Sequence, residues 1–329
     1  MTGIAALPKV ELHLHMEGAA PPALAWRRAE ALGIPAAGLF DGVGGYGWEG
    51  FSGFLAAYDR VAALFDTPEA QRDLCEAVLA ASAAQGVVYA EIAVSPDLAA
   101  GADAGRWRAC LAALDEGARA AEAEYGIEAR WIATCIRNLG PERAEAAARL
   151  AAEAGDARIV GLGLAGDERV GRPGDFARAF ALAREAGLGL TAHAGEFVGP
   201  ESVAAALDDL RADRIDHGVR AAEDAALVAR LAAESVPLCT CPGSNVALGV
   251  YPALAAHPIA ALRDAGVPIN VSTDDPPFFD TDMTREYEAL ARVFGWDEGA
   301  LRALSRAGLD AAFCDAETRA RIAARLDAA

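Results

Sequence analysis

The chain has 329 residues, 53% of them hydrophobic, with 29 basic against 48 acidic residues for a formal charge of −19. That charge repels phosphate backbones and anionic lipid, which argues against nucleic-acid binding and membrane-surface binding as main functions. A chain of this length buries a sizeable core without disulfides or metal staples.

In chain order, residues 1–10 lack the basic start and long apolar stretch of a signal peptide, so the expected compartment is cytoplasmic. Short apolar, β-branched runs then predict strands at 10–15, 87–94, 129–137, 159–164, 188–193, 214–219, 236–241 and 267–273. Between most of them lie alanine-rich helical patterns, among them 144–154, 175–186, 201–210 and 224–234. Several end at a glycine just before the next strand, as at Gly187 and Gly266. Alternating strands and helices imply a parallel sheet, and eight units imply a closed (β/α)8 TIM barrel. A doubly wound open sheet is the alternative. With no repeat or linker visible, residues 1–329 read as a single domain.

The stretch between the first two strands is too long for one crossover helix. It contains 21–33, a glycine-rich run at 41–50 with Tyr46 and Trp48, and 51–65. Extra helices inserted after the first strand either cover the barrel mouth and shape a pocket or pack on the outside. Residues 235–262 lack Asp, Glu, Lys and Arg, but Pro237, Pro242, Pro252 and Pro258 make them a strand, a turn and a loop, not a membrane span. Six scattered cysteines (Cys75, Cys110, Cys135, Cys239, Cys241, Cys314) are expected to be reduced. Cys239 and Cys241 read as two buried residues on one strand face, with a CxC metal pair as the alternative.

The histidines carry the chemistry. His13 and His15 are two apart on a predicted strand, so both side chains point to one face, where they can present two imidazoles to one metal. His193 ends the fifth strand, His217 the sixth, and Asp274 and Asp275 the eighth. Polar residues at the C-terminal ends of different strands are where barrel enzymes hold their chemistry. Taken singly, each has a plain structural explanation. His257, on a loop in Ala-His-Pro-Ile, is such a case. Together, three imidazoles and a carboxylate form the N/O donor set of a catalytic zinc-type site. Lys9 is the only lysine and precedes the first predicted strand. The carbamylated lysine that often bridges two metals in barrel hydrolases is therefore not available, and one metal per chain is expected.

These residues resemble the adenosine deaminase family of purine aminohydrolases. The matching stretches are Leu-Pro-Lys-Val-Glu-Leu-His-Leu-His-Met-Glu-Gly-Ala (7–19), Leu-Ala-Gly-Asp-Glu (164–168), His-Ala-Gly-Glu (193–196), Asp-His-Gly (216–218) and Ser-Thr-Asp-Asp-Pro (272–276), in the family's order and spacing. The resemblance implies one Zn2+ held by His13, His15, His193 and Asp274. It implies Glu196 as the proton-shuttling carboxylate and His217 as the imidazole that orients the water. It also implies that Asp275 contacts purine N7 and that the Gly166 amide contacts N3. The HxE and PCxxC signature of the nucleic-acid-editing deaminases is absent.

The resemblance has two departures. Glu17 stands where adenosine deaminases usually have the Asp that meets the ribose 5′-hydroxyl, and Glu there resembles the adenine deaminases. Leu-Ala-Gly-Asp-Glu, in contrast, looks like the nucleoside enzymes. The second departure is Ile-Asn-Val-Ser-Thr before Asp274, where the family usually has an asparagine closer to the aspartates. It is expected not to affect metal binding. The leading expectation is therefore deamination of adenosine or 2′-deoxyadenosine. Adenine is the alternative, followed by a larger 6-aminopurine nucleoside such as aminodeoxyfutalosine. Outside that family stand a mononuclear hydrolase of an amide or ester, and a barrel that binds purine or metal without turnover.

Overall fold

The computed structural model describes residues 3–35, 37–42 and 44–328. Its frame is eight parallel strands: β1 (Lys9–His15), β2 (Val87–Val94), β3 (Glu128–Ile136), β4 (Ile159–Ala165), β5 (Gly189–Ala194), β6 (Arg214–His217), β7 (Leu238–Thr240) and β8 (Ile269–Val271). Each strand bonds to the next in sequence, giving the order β1 to β8. This is the expected (β/α)8-like barrel, nearly closed and carrying extra helices, not a doubly wound sheet.

Side chains complete the circle between β8 and β1. Asn270 Nδ2 donates to the Val10 carbonyl at 2.9 Å, and Ser272 Oγ accepts from the Leu12 and His13 amides, each at 3.1 Å. Backbone bonds from Asp274 N to His13 O and from His15 N to Asp274 O finish the join. The Asn270 and Ser272 of Ile-Asn-Val-Ser-Thr are thus a seam that fixes β1 against the turn carrying Asp274.

The barrel's N-terminal end is plugged. Phe313 lies beneath β4 and β5, where a Cβ on Gly189 would come within 2.4 Å of its ring, so only glycine fits. The Arg214 guanidinium stacks on the same ring at 4.1 Å and pairs with Glu91 at 2.5 Å. Lys9 is the first residue of β1, not a residue preceding it, and its Nζ donates to the carbonyls of Ile4, Leu7 and Gln85. It is far along the strand from His15.

Helices Pro22–Leu32, Gly50–Ala62 and Pro68–Ala84 fill the long connection after β1. Thr67 caps the third through the Ala70 amide, with Pro68 at the first helical position. The middle helix lies over the barrel mouth. Its Phe54 meets Phe278 and Phe279, and its Phe51 meets Phe197. All six cysteines are free and buried, with Cys239 in β7 and Cys241 just beyond it. No helix among the described residues is long and apolar enough to cross a membrane.

Candidate active site

The strand ends converge at the C-terminal face of the barrel. His13 and His15 are delivered by β1, His193 by β5, His217 by β6, and Asp274 by the turn after β8. Two of these are held at backbone angles that side chains rarely adopt: His217 has φ +63° and Asp274 φ +67°. Left-handed non-glycine residues cost on the order of 1–3 kcal/mol each and gather where function demands a particular direction.

Nitrogen and oxygen atoms of His13, His193, His217 and Asp274 all lie within 4.8 Å of one another, and all four residues are buried. His15 joins through the carboxylates, in a second set with Asp274 and Asp275. His13 Nε2 and His15 Nε2 lie 3.2 and 3.1 Å from Asp274 Oδ1, whereas His217 Nε2 is 3.9 Å from Asp274 Oδ2. All the expected ligands therefore meet around one carboxylate, and His217 stands among them.

A metal fits this donor set. His13 Nε2 and His217 Nε2 are buried with no hydrogen-bond partner, a costly arrangement unless an ion, or a molecule it holds, satisfies them. Burial, helped by His13, brings His193 down to about 4, which keeps it neutral with its lone pair available. Burial alone would raise Asp274, but His13 and His15 hold it well below the usual carboxylate range. Asp274 Oδ2 also accepts from Ser244 Oγ at 2.6 Å. This buried His/His/His/Asp constellation suits a single catalytic divalent ion, and zinc matches the donors.

Asp216 precedes His217 in Asp-His-Gly, and the motif alone points to no role for it. Its two oxygens lie 3.6 Å from His13 Nδ1 and 3.5 Å from His193 Nδ1. A carboxylate on the Nδ1 side orients an imidazole so that Nε2 faces the metal. Thr191 Oγ1 donates to Asp216 at 2.8 Å and holds it. The signal for this was strand register, because His193 and Asp216 are direct partners between β5 and β6.

Glu196 follows β5 and is buried. Burial, with Asp274 and Glu168 nearby, pushes its carboxyl well above the ordinary range. Glu168, at the end of Leu-Ala-Gly-Asp-Glu, supports this placement. Its carboxylate accepts four consecutive backbone N–H groups, those of Gly195, Glu196, Phe197 and Val198, and so fixes the loop that presents Glu196. Asn245 Nδ2 donates to Glu196 Oε1 at 3.0 Å and faces His217 Nδ1 at 3.3 Å.

Above these groups opens a cavity of about 520 Å³ whose lining includes His15, His193, Glu196, His217, Gly166 and Asp275. Helix Gly50–Ala62 supplies one wall through Phe51, Phe54, Leu55 and Tyr58. Of the two placements open for the insertion, this helix takes the one that shapes the pocket. Burial and Asp274 raise the Asp275 carboxyl well above the usual range, and its Oδ1 is buried without a partner. Gly18 admits it, since a Cβ there would lie 1.5 Å from that oxygen. Glu17 is buried but does not line the cavity, and its Oε2 accepts from the Tyr58 hydroxyl at 3.0 Å.

A sequence profile described as Adenosine deaminase matches residues 8–329. The chain belongs to the adenosine deaminase family. It is 48% identical over 324 residues to an adenine deaminase of Agrobacterium fabrum, covering 97% of this chain and 98% of that one. Among solved structures, the adenine deaminase from Arthrobacter aurescens superposes with a TM-score of 0.88 at 31% identity, covering 98% of each chain. An amidohydrolase from Burkholderia ambifaria, with bound Zn, gives 0.85 at 27%, covering 98% of this chain and 92% of that one. The chain is a metal-dependent aminohydrolase, and its reaction is deamination of a 6-aminopurine.

Proposed function

We propose that this enzyme acts on free adenine, converting adenine and water to hypoxanthine and ammonia. The observation that carries the reading is the Glu17–Tyr58 pair. Glu17 occupies the position that resemblance gives to the ribose-binding aspartate, yet its Oε2 already accepts from the Tyr58 hydroxyl and the residue is absent from the cavity wall. The Tyr58 hydroxyl thus competes with a ribose for the Glu17 carboxylate. Burial also raises the Glu17 carboxyl, which further weakens it as an acceptor for a sugar hydroxyl. The Agrobacterium and Arthrobacter relatives, both named adenine deaminase, favour this alternative over adenosine, the leading expectation from the motifs.

The roles are those the resemblance implies, and the geometry is compatible with them. His13, His15, His193 and Asp274 would hold the ion. When bound, a divalent metal there lowers the pKa of water to about 7 and so supplies a nucleophile at neutral pH. Glu196, kept protonated by burial, gives its proton to N1 and makes C6 electrophilic. His217 orients the water that adds at C6. Asp275, kept neutral by burial beside Asp274, donates to N7, and the Gly166 amide donates to N3. The added water gives up both protons: one restores the acid form of Glu196 and the other passes to the amine, so the C6–N6 bond breaks with release of ammonia and leaves the C6 carbonyl.

The test is ammonia release from zinc-loaded protein with adenine, adenosine, 2′-deoxyadenosine and aminodeoxyfutalosine. The expected result is a kcat/KM for adenine at least about 100-fold above the others, which is about 2.7 kcal/mol of discrimination. A preference for any nucleoside overturns the reading.

A further inference from the structure

His257 and Asn245 are buried, and neither lines the cavity. They nonetheless sit in a chain of hydrogen bonds whose direction is set from one end. The helix Ile259–Asp264 begins just after His257, and the first N–H groups of a helix have no partner within it. The Ile259 N–H donates to His257 Nδ1 at 3.2 Å. A backbone N–H only donates, so Nδ1 must hold a lone pair, and the neutral ring carries its hydrogen on Nε2.

That nitrogen lies 3.1 Å from Asn245 Oδ1. Only the oxygen of the amide can face an N–H, so the orientation of Asn245 follows from the network. Its Nδ2 must then point the other way, where Glu196 Oε1 stands at 3.0 Å and His217 Nδ1 at 3.3 Å. Tyr251 holds the His257 ring from its edge, with centroids 5.0 Å apart.

We propose that His257, acting through Asn245, determines which oxygen of Glu196 carries the acid proton. This rests on the reading of Glu196 as the proton donor. Because Oε1 accepts from Asn245, the acid hydrogen sits on Oε2. Of the two protonated forms of the carboxyl, this is the one that leaves the Asn245 N–H satisfied. The same amide makes His217 Nδ1 an acceptor, so His217 presents Nε2–H on its Asp274 side. It therefore orients an oxygen by donating to it and is not a metal ligand, which leaves His15 in the ligand set. His257 and Asn245 are positioning residues: one backbone amide outside the cavity sets the polarity of both groups that face the water.

Four variants and one spectrum test this. Asn245→Asp removes the donor with little change of shape and is expected to lower kcat by roughly 10²-fold, as loss of a preorganised donor does. His257→Phe lets the amide turn over, with an expected fall in kcat of about 10-fold, the equivalent of one neutral hydrogen bond. His257→Gln keeps an N–H toward Asn245 and restores kcat to within about 3-fold of the parent. KM and the content of one metal per chain stay unchanged throughout. In 15N-histidine NMR of the metal-free protein, the signals lost in His257→Gln identify His257, and they report hydrogen on Nε2.

Hydrogen on Nδ1 overturns the proposal. So does parental kcat in His257→Phe, or equal losses in the Phe and Gln variants tracking their melting temperatures. Glu196→Gln separates the two levels. If it loses turnover while the Asn245 and His257 variants do not, the relay fails and the acid stands. If it keeps turnover, the acid fails and the relay with it.

Discussion

The two ends of the barrel bury charge in opposite ways. At the N-terminal end, Lys9 Nζ is surrounded by carbonyl oxygens, and Arg214 is paired with Glu91 over the Phe313 ring. Glu91 in turn accepts from the Tyr89 hydroxyl and the Phe313 amide. At the C-terminal end, His13, His193, His217 and Asp275 all keep buried polar atoms without partners. Partners from the protein itself satisfy most of the lower set, Arg214 Nε excepted, whereas the open groups of the upper set are completed by a ligand. Left-handed backbone at His217 and Asp274 marks the same end. Stability and chemistry are thus divided along the barrel axis, which is the usual assignment of its two faces.

The largest effects should separate the two ends. Glu196→Gln keeps the shape of the upper end but removes its acid. It is expected to lower kcat by roughly 10³-fold, within the range for general acid catalysis, while metal analysis still finds one ion. Near-normal turnover removes Glu196 from the mechanism. Chelation of the metal should abolish turnover, and zinc should restore it. At the lower end, Glu91→Gln leaves Arg214 buried without its counter-charge. Breaking such a pair costs about 3–5 kcal/mol, so denaturant unfolding should shift by that amount while kcat of the folded protein stays within about 2-fold. If Glu91→Gln instead lowered kcat with stability intact, the division along the axis would be wrong.

How far this was legible in the sequence depends on how local each feature is. All eight strands lie where the apolar runs put them, because burial on both faces leaves a continuous hydrophobic signature. β7 and β8 are shorter than their runs, since a run records burial and a strand requires pairing. His13 and His15 could be read as a pair from period-2 alternation alone. Asp216 was hidden beside His217, because the left-handed His217 breaks the alternation and lets neighbours face the same site. Glu168, Asn245 and His257 act through bonds that span about 10 to 50 positions, and no periodicity carries that information. The β8–β1 seam through Asn270 and Ser272 is equally non-local, joining residues about 260 apart.

Glu286 is a carboxyl of a third kind, buried and satisfied yet close to neutral. Its oxygens accept from Thr281 Oγ1 and the Gly243 amide, and burial pushes its pKa up from 4.5 to about 7. A raised folded-state pKa favours the protonated acid. The contribution of Glu286 to stability is therefore complete below pH 4.5 and is lost as pH rises to about 7. At about 1.36 kcal/mol per unit, the loss is roughly 3 kcal/mol. Glu286→Gln copies the neutral acid, with its amide donating to Thr281 and its oxygen accepting from Gly243. It should melt higher than the parent at pH 8 and equally at pH 4.5. A difference independent of pH shows that Glu286 does not titrate in this window.

The smallest effect tests a place where the upper end is closed as the lower end is. Tyr58 and Glu17 partner each other, so they are structure within a face otherwise left open for ligands. Tyr58→Phe removes the hydroxyl and returns Glu17 Oε2 to any donor that reaches it. A ribose hydroxyl is such a donor, whereas free adenine presents only its N9–H on that side and no hydroxyl. The variant should therefore lower the adenine-to-adenosine ratio of kcat/KM by about 10-fold, the worth of one hydrogen bond at about 1 kcal/mol. Adenine turnover itself should change little, because the Tyr58 hydroxyl is bonded to Glu17 and carries no proposed role in binding the purine. An unchanged ratio means that the helix wall excludes ribose by shape, and that Glu17 is as purely structural as Glu91.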